Sequence, residues 1–305
     1  MHPKIKKALQ DPYYACSLLL DHIGRYVSDE HFVKWSYYLR FRKKLDLKNP
    51  KTYNEKLQWL KLYDRHEEYT QMVDKYEAKE YVASIIGEEY IIPTLGVYNS
   101  FDDIDFDLLP DQFILKCTHD SGGISICTDK KTFDYKKAKK LLTRNLKRNP
   151  FWYNREYPYK NIKPRIIAEK YMEDESGWQL KDYKVFCFNG EPQFVEVDYD
   201  RYVGHKLNVY SLDWKFLDFY MTSPNDSSVI IPKPKCLNKM IDFAKTLSSG
   251  LVHIRVDFYS IGEKLYFGEL TFTPGSGLIN FHPAEYDALL GSKLLLPYEK
   301  QDVQN

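Results

Sequence analysis

Residues 254–277 read IRVDFYSIGEKLYFGELTFTPGSG. Taken with a period of two, Ile254, Val256 and Phe258 point one way and Arg255, Asp257 and Tyr259 the other. The alternation resumes with Tyr266, Gly268 and Leu270 set against Phe267, Glu269 and Thr271, and Ser260-Ile261-Gly262-Glu263-Lys264 supplies the turn. The stretch therefore predicts an antiparallel hairpin that gathers Arg255, Asp257, Glu269 and Thr271 on one surface. Two carboxylates brought together repel, so a divalent cation is their natural partner, and Arg255 is available for an anion held by that cation. The combination predicts a magnesium–phosphate site, against the plainer reading of a solvated sheet face. Pro274-Gly275-Ser276-Gly277 follows at once, and a flexible turn there lets backbone approach a ligand closely.

The bulk of the chain sets the frame for that hairpin. At 305 residues, 43% of them hydrophobic and 16% aromatic, it can pack a sizeable core in two domains or one multi-lobed one. Its 44 basic and 43 acidic residues leave a net charge of +1, which gives no global field for nucleic acid. Cys16, Cys117, Cys127, Cys187 and Cys236 are odd in number, widely spaced and without a CxxC pair, so they read as reduced packing residues. Near the N-terminus the longest apolar run, Ala15 to Leu20, is far too short to span a bilayer, and the expectation is a cytoplasmic protein without a transmembrane segment.

Residues 1–92 carry helical patterns, with Ser28 and Thr52 as N-caps. Thr52 and Glu55 have the spacing of a capping box ahead of Leu57, Leu60 and Leu62, which predicts a docked amphipathic helix. Lys75 and Lys79, four residues apart on the next helix, read as a solvated face, with the alternative that one of them reaches a nucleotide. From Tyr90 the pattern turns to strands. Lys116 sits inside the apolar strand Phe113–Cys117, where an ammonium needs an anion or an acidic neighbour. Ser121, Gly122 and Gly123 follow it, a small flexible loop of the kind whose backbone N–H groups and hydroxyl cover phosphates. Residues 130–149 form a basic helix with a wet face, and the aromatic loop Tyr153–Tyr159 suggests no role. The strand from Arg165 runs into Lys170, Tyr171, Met172 and the acid Asp174, an order that suits a purine edge and ribose hydroxyls. In the next strand Lys184, Phe186 and Phe188 alternate with Val185 and Cys187, and Asn189-Gly190 turns it into the strand Gln193–Val197.

In this order the chain resembles the ATP-grasp enzymes. DKYEAKEYV (74–82), EEYIIPTLGVY (88–98), FILKCTHDSGG (113–123), NIKPRIIAEKYMED (161–174), DYKVFCFNGEP (182–192) and RVDFY (255–259) through FGELTFTPGSG (267–277) resemble the teichuronopeptide-biosynthesis, TupA-like type in particular, over about residues 40–297. The resemblance implies an α+β protein of the ATP-grasp fold, with a helical N-terminal segment over 1–92, a first lobe over 93–170 and a second over 171–305. It implies an ATP-dependent carboxylate–amine ligase using ATP and Mg2+. Lys116 and Lys170 would lie near the nucleotide, Lys170, Tyr171 and Met172 would form the adenine hinge with Glu169 and Asp174 beside it, and Ser121, Gly122 and Gly123 would cover the phosphates. Lys184 and Arg255 would neutralise the transferred phosphoryl group, and Asp257 and Glu269 would hold the metal. Thr271 stands where the wider superfamily has Asn, and its hydroxyl can still ligate magnesium. Arg201, His205 and Ser276 are the candidate substrate residues. By the same resemblance the carboxylate belongs to a uronic acid of a bacterial capsule, exopolysaccharide or cell-wall polymer, and the amine to an amino acid or short peptide. Asp198-Tyr199-Asp200 leaves open a nucleotide-sugar glycosyltransferase, although no early βαβ unit accompanies it, and an ATP-grasp-type kinase or a non-catalytic relative also stays open.

Overall fold

A computed structural model describes residues 6, 9–177, 180–200 and 204–299. Among these the strands form two antiparallel sheets. The smaller has the order β1-β4-β2-β3, built from β1 (Thr94–Tyr98), β2 (Phe113–Cys117), β3 (Ile124–Cys127) and β4 (Ile166–Lys170). The larger has the order β10-β9-β5-β6-β7-β8, built from β5 (Asp182–Phe188), β6 (Glu191–Tyr199), β7 (Lys206–Tyr210), β8 (Phe216–Leu217), β9 (His253–Ile261) and β10 (Lys264–Thr271).

Alternation in the large sheet decides what each face meets. Val185, Cys187, Val195, Val197, Ile254, Val256 and Phe258 project to one side and pack with Leu237, Met240 and Ala244 of the helix Leu237–Ser248. On the other side the residues change character along the strands. Phe186, Phe188, Phe194, Leu207 and Val209 are covered by Tyr53, Leu57 and Leu60 of the helix Tyr53–Tyr63. The remaining positions of that face are Lys184, Glu196, Asp198, Arg255, Asp257, Glu269 and Thr271, so half the face is core and half is charge.

The N-terminal helices are α1 (Pro12–Ile23), α2 (Asp29–Phe41), α3 (Tyr53–Tyr63), α4 (Tyr69–Val73) and α5 (Glu77–Ile86). Ser28 caps α2, and Thr52 with Glu55 closes the expected capping box on α3. The core of α3 is shared with the large sheet, and Met72, Val73, Ala78 and Val82 of α4 and α5 join the cluster on its opposite face. The small sheet packs on Ala138 and Leu142 of α6 (Tyr135–Leu146). Two further helices are α7 (Phe151–Asn154) and α9 (Tyr286–Lys293), with α8 (Leu237–Ser248) between them in the chain. Among the described residues no helix is long and apolar enough to cross a membrane. Four cysteines are buried and Cys16 is exposed, so packing explains all but that one.

Candidate active site

The hairpin β9–β10 forms as the sequence predicts, with one correction to its register. Phe267 pairs with Phe258 and Glu269 with Asp257, so Gly268 is an extra residue, a β-bulge. The bulge puts Leu265, Phe267 and Leu270 together in the core and turns Glu269 and Thr271 to the other side with Arg255 and Asp257. A strict alternation had placed Phe267 with Glu269. A Cβ on Gly268 would lie 3.0 Å from the Asp257 carbonyl oxygen, which is why glycine fits there.

Arg255 is the hub of this surface. Its Nε and Nη2 donate to the two oxygens of Asp257, both at 2.6 Å, and Nη2 also reaches Glu269 Oε1 at 2.8 Å and Thr271 Oγ1 at 3.1 Å. Burial pushes the Asp257 carboxyl above its ordinary range against the pull of Arg255, and the neighbouring charge of Glu269 adds to the rise. Glu269 goes the other way. Burial would raise it, but Lys75, with Nζ 3.8 Å away, and Arg255 outweigh that and hold it at about 2. Next along the sheet, Lys184 pairs with Asp198 and, at 3.3 Å, with Glu196, and His205 Nε2 lies 3.2 Å from Asp198. Burial would lower the Lys184 ammonium, yet Glu196, Asp198 and Asp257 keep it raised. Asp198, half of the Asp-x-Asp pattern, is thus engaged by a lysine of its own sheet and by His205 just before β7.

Across from this face stands the small sheet. Lys116 on β2 meets Glu169 on β4 at 2.6 Å, the acidic neighbour its burial demanded, and Lys79 binds the same carboxylate from α5. Burial opposes ionisation of Glu169, but the two ammonium groups bring it down to about 2. The expected solvated face of Lys75 and Lys79 is not there. Asp74 Oδ1 accepts from Tyr76 N and Glu77 N and starts α5 at Glu77, so Lys75 precedes the helix and its side chain turns to Glu269. Lys79 is buried, donating also to Ile92 O at 2.8 Å and Thr94 Oγ1 at 3.1 Å. Beyond Glu169, Lys170 ends β4 exposed, with its N–H on Pro93 O, and Tyr171 and Met172 continue half-buried. Asp174 is buried and takes Lys181 Nζ at 2.6 Å and Ser176 N at 2.9 Å, so its carboxylate holds its own loop.

The loop after β2 and the β9–β10 hairpin border a cavity of about 1070 Å³. Lys75, Ser121, Gly122, Arg255, Glu269, Thr271 and Ser276 all line it, whereas Gly123 packs inward, where a Cβ would come within 2.6 Å of Cys117 Sγ. Lys116 and the 169–172 stretch stand outside the lining. Ser276 has a positive φ of 57° and is pinned from α3: Lys61 Nζ donates to its Oγ at 2.9 Å and Gln58 Nε2 to its carbonyl at 3.0 Å. Burial brings the Lys61 ammonium down to about 8. Glu156, also on the cavity wall, accepts from Thr273 Oγ1 at 2.6 Å and is raised by burial. His205 sits at the far side of Lys184 from the hairpin, and Arg201 lies outside the described residues. Glu156 and Thr273 line the cavity without a signal in the sequence, and of the two lysines Lys75 is the one on its wall. The one local signal was Asp74, whose capping spacing to Glu77 moves the helix start past Lys75.

The donor set fits magnesium. Asp257, Glu269 and Thr271 offer oxygen ligands only, and Mg2+ takes one or two carboxylates and fills its shell with phosphate and water. Among the described residues no group of three or more His, Cys, Asp or Glu stands ready as a closed protein cage.

Two antiparallel sheets, with the loop after β2 of the smaller and the acidic hairpin of the larger bordering one cavity, make up the ATP-grasp fold. The TupA-like ATP-grasp family model matches residues 55–295, and the chain belongs to that family. Among solved structures, it is similar to D-alanine–D-alanine ligase from Helicobacter pylori, at 18% identity and a TM-score of 0.39, covering 81% of this chain and 70% of that one. It is similar also to the Bacillus anthracis D-alanine–D-alanine ligase complexed with ATP (14%, TM-score 0.42, covering 75% and 66%). A third is the ATP-grasp ligase PsnB complexed with a phosphomimetic variant of its minimal precursor, Mg and ADP (10%, TM-score 0.42, covering 78% and 63%). No curated protein matches the chain.

Proposed function

We propose that the chain is an ATP-dependent carboxylate–amine ligase, joining the carboxylate of a uronic acid in a capsule, exopolysaccharide or cell-wall polymer to the amine of an amino acid or peptide. The observation that carries this reading is the shared cavity: the Ser121–Gly122 loop, Lys75, Arg255 and Glu269 border one space. In the reaction a carboxylate takes the γ-phosphoryl group of ATP, and an amine then displaces phosphate to leave an amide. Phosphoryl transfer asks a protein for alignment and charge neutralisation more than for covalent chemistry. Magnesium on Asp257, Glu269 and Thr271 would supply charge neutralisation at the phosphates.

The chain's own residues supply the rest. Lys75 and Arg255 bring cations to the cavity wall, each held against a carboxylate partner, and Lys184 stands behind them outside the lining, paired with Glu196 and Asp198. Ser121 would offer its hydroxyl to phosphate oxygens, whereas the Gly122 N–H donates to Asp120 Oδ1 at 3.1 Å and would have to leave it to meet one. Lys170, Tyr171 and Met172 at the end of β4 would take the adenine. Ser276 lines the cavity with its Oγ held by Lys61 and its hydroxyl against Glu156, and Glu156 on the same wall would accept the proton that the amine loses.

The deciding assay combines Mg-ATP, a panel of uronic-acid-bearing glycans and pooled amino acids, with nucleotides separated and products weighed. The ligase releases ADP and phosphate and yields a product equal to both substrates less one water. Phosphate added without an amine would make it a kinase, and sugar transfer with ATP untouched would end the ligase reading.

A further inference from the structure

The cavity does not stop at the phosphoryl end. Its outer wall comes from the end of α1 and the turn after it, with His22, Arg25 and Tyr26, and from residues 148–153, with Arg148, Trp152 and Tyr153. The first of these elements precedes residue 55 and so lies outside the family match. It is nevertheless built into the body of the protein. Arg155, fully buried with a positive φ of 57°, donates to the carbonyls of Gly24 and, at 3.0 Å, Val27, and its Nε lies 2.8 Å from Asp29. Gly24 is so close to α7 that a Cβ would stand 2.6 Å from the Trp152 carbonyl oxygen. A guanidinium left unpaired in a buried position would be costly, so this docking is held by more than surface contact.

What the wall offers is chiefly aromatic surface and guanidinium, with one carboxylate, Asp21, on it. Arg25 lies over the Trp152 ring at 5.9 Å and Arg148 over Tyr153 at 5.1 Å, and among the described residues neither arginine has a carboxylate partner in an ion pair. Arg148 Nη1 donates to Asn145 Oδ1 at 3.4 Å, and the remaining N–H edges of stacked guanidinium groups stay open to an acceptor and suit bidentate contact with carboxylates. Rings bearing hydroxyls suit the same aromatic faces. The total volume, about 1070 Å³, also stands at the top of the ~300–1,000 Å³ range of ordinary small-molecule sites, which leaves room past the reacting groups for more than a single sugar.

We propose that this outer wall is a binding subsite for the acidic, ring-bearing chain that carries the reacting carboxylate, read by Arg25 and Arg148 against Trp152, and that the N-terminal helix α1 is thereby a specificity element of this protein. The assignment rests on the ligase reading for its direction, since it places the glycan rather than the amine at this end.

The test uses the full chain with the magnesium complex of a non-hydrolysable ATP analogue, titrated calorimetrically with tri-galacturonic acid and with neutral maltotriose as probes. Wild type binds the acidic trisaccharide and takes maltotriose at least tenfold more weakly. Arg25→Ala with Arg148→Ala, and separately Trp152→Ala, each weaken tri-galacturonate on the order of tenfold or more while nucleotide binding stays within about twofold. Arg25 and Arg148 are exposed, so the double variant should fold, and an unchanged thermal melt checks it. Equal binding of both trisaccharides, no tri-galacturonate binding by wild type, or full binding by a folded double variant would each overturn the subsite. Because the readout is binding and not turnover, it is separate from the ligase reading, which fails instead if no ADP is ever released.

Discussion

Glu169→Gln is the most informative single change in the small sheet. The wild-type carboxylate is buried between Lys116 and Lys79, and its amide replacement leaves two ammonium groups facing a neutral side chain. A drop from an ordinary glutamate's 4.5 to about 2 corresponds, at about 1.4 kcal/mol per tenfold, to on the order of 3 kcal/mol of folding stability at neutral pH. The 3–5 kcal/mol range for breaking a buried pair by removing one partner agrees with it. The sign in pH follows from the folded carboxyl being depressed. Its contribution is complete above the unfolded value of about 4.5 and is lost as pH falls through about 2. Urea denaturation of wild type and variant from pH 7 to pH 2 should therefore show a gap of about 3 kcal/mol that closes to under ~1 kcal/mol at the acid end. A gap below ~0.5 kcal/mol at pH 7, or one that does not change with acid, would refute the reasoning and make the lysine pair independent of Glu169.

Three other outcomes follow from the hairpin. Asp257→Asn and Glu269→Gln should each lower ATP turnover on the order of 10²-fold or more with the fold intact, while Thr271→Ala reports whether the hydroxyl ligates, and near-normal turnover in both carboxylate variants would return the hairpin to a solvated sheet face. Gly268→Val forces a side chain toward the Asp257 carbonyl, 3.0 Å from the ideal Cβ, and should cost roughly 1–3 kcal/mol in urea melts together with turnover; wild-type behaviour in both would mean the bulge is not needed. Chelating divalent cations should weaken ATP-analogue binding at least tenfold in calorimetry, and binding unchanged by chelator would remove the metal from the site.

Much of the fold was legible because its signals are local. Thr52 and Glu55 form a capping box, Asn189-Gly190 turns a hairpin, and alternating Lys184, Phe186 and Phe188 announce a face that changes from charge to core. The parity error at Phe267 had a visible cause. Leu265, Phe267 and Leu270 are spaced two and then three, the mark of one inserted residue, with a glycine at the insertion. The requirement that Lys116 find an acid could be read from its apolar strand, whereas the identity of that acid depends on β2 pairing with β4 across an intervening strand and two helices. Lys75 meets Glu269 from the loop before α5, whose backbone is tied to Thr118, and Glu156 reaches the site through a loop whose aromatic composition carried no chemistry. Long-range closure of this kind leaves no period or spacing in the chain.

The electrostatics of the assembled site explain why it should need a metal at all. Lys75, Lys79, Lys116, Lys184 and Arg255 are five cations, and Glu169, Glu196, Asp198, Asp257 and Glu269 are the five carboxylates that pair with them. A nearly neutral site offers a highly charged triphosphate little net attraction, and the lysines alone cannot change that while their partners stay ionised. The hairpin is where the balance can shift. Arg255 now spends its guanidinium on both carboxylates, 2.6 Å from Asp257 and 2.8 Å from Glu269. A divalent cation binding those same oxygens would both import the missing positive charge and release the arginine from its pairing, so that its N–H groups could turn to an anion. Metal and phosphate binding would then be coupled through one side chain, and Arg255 would act on the phosphoryl group only when the cation is present.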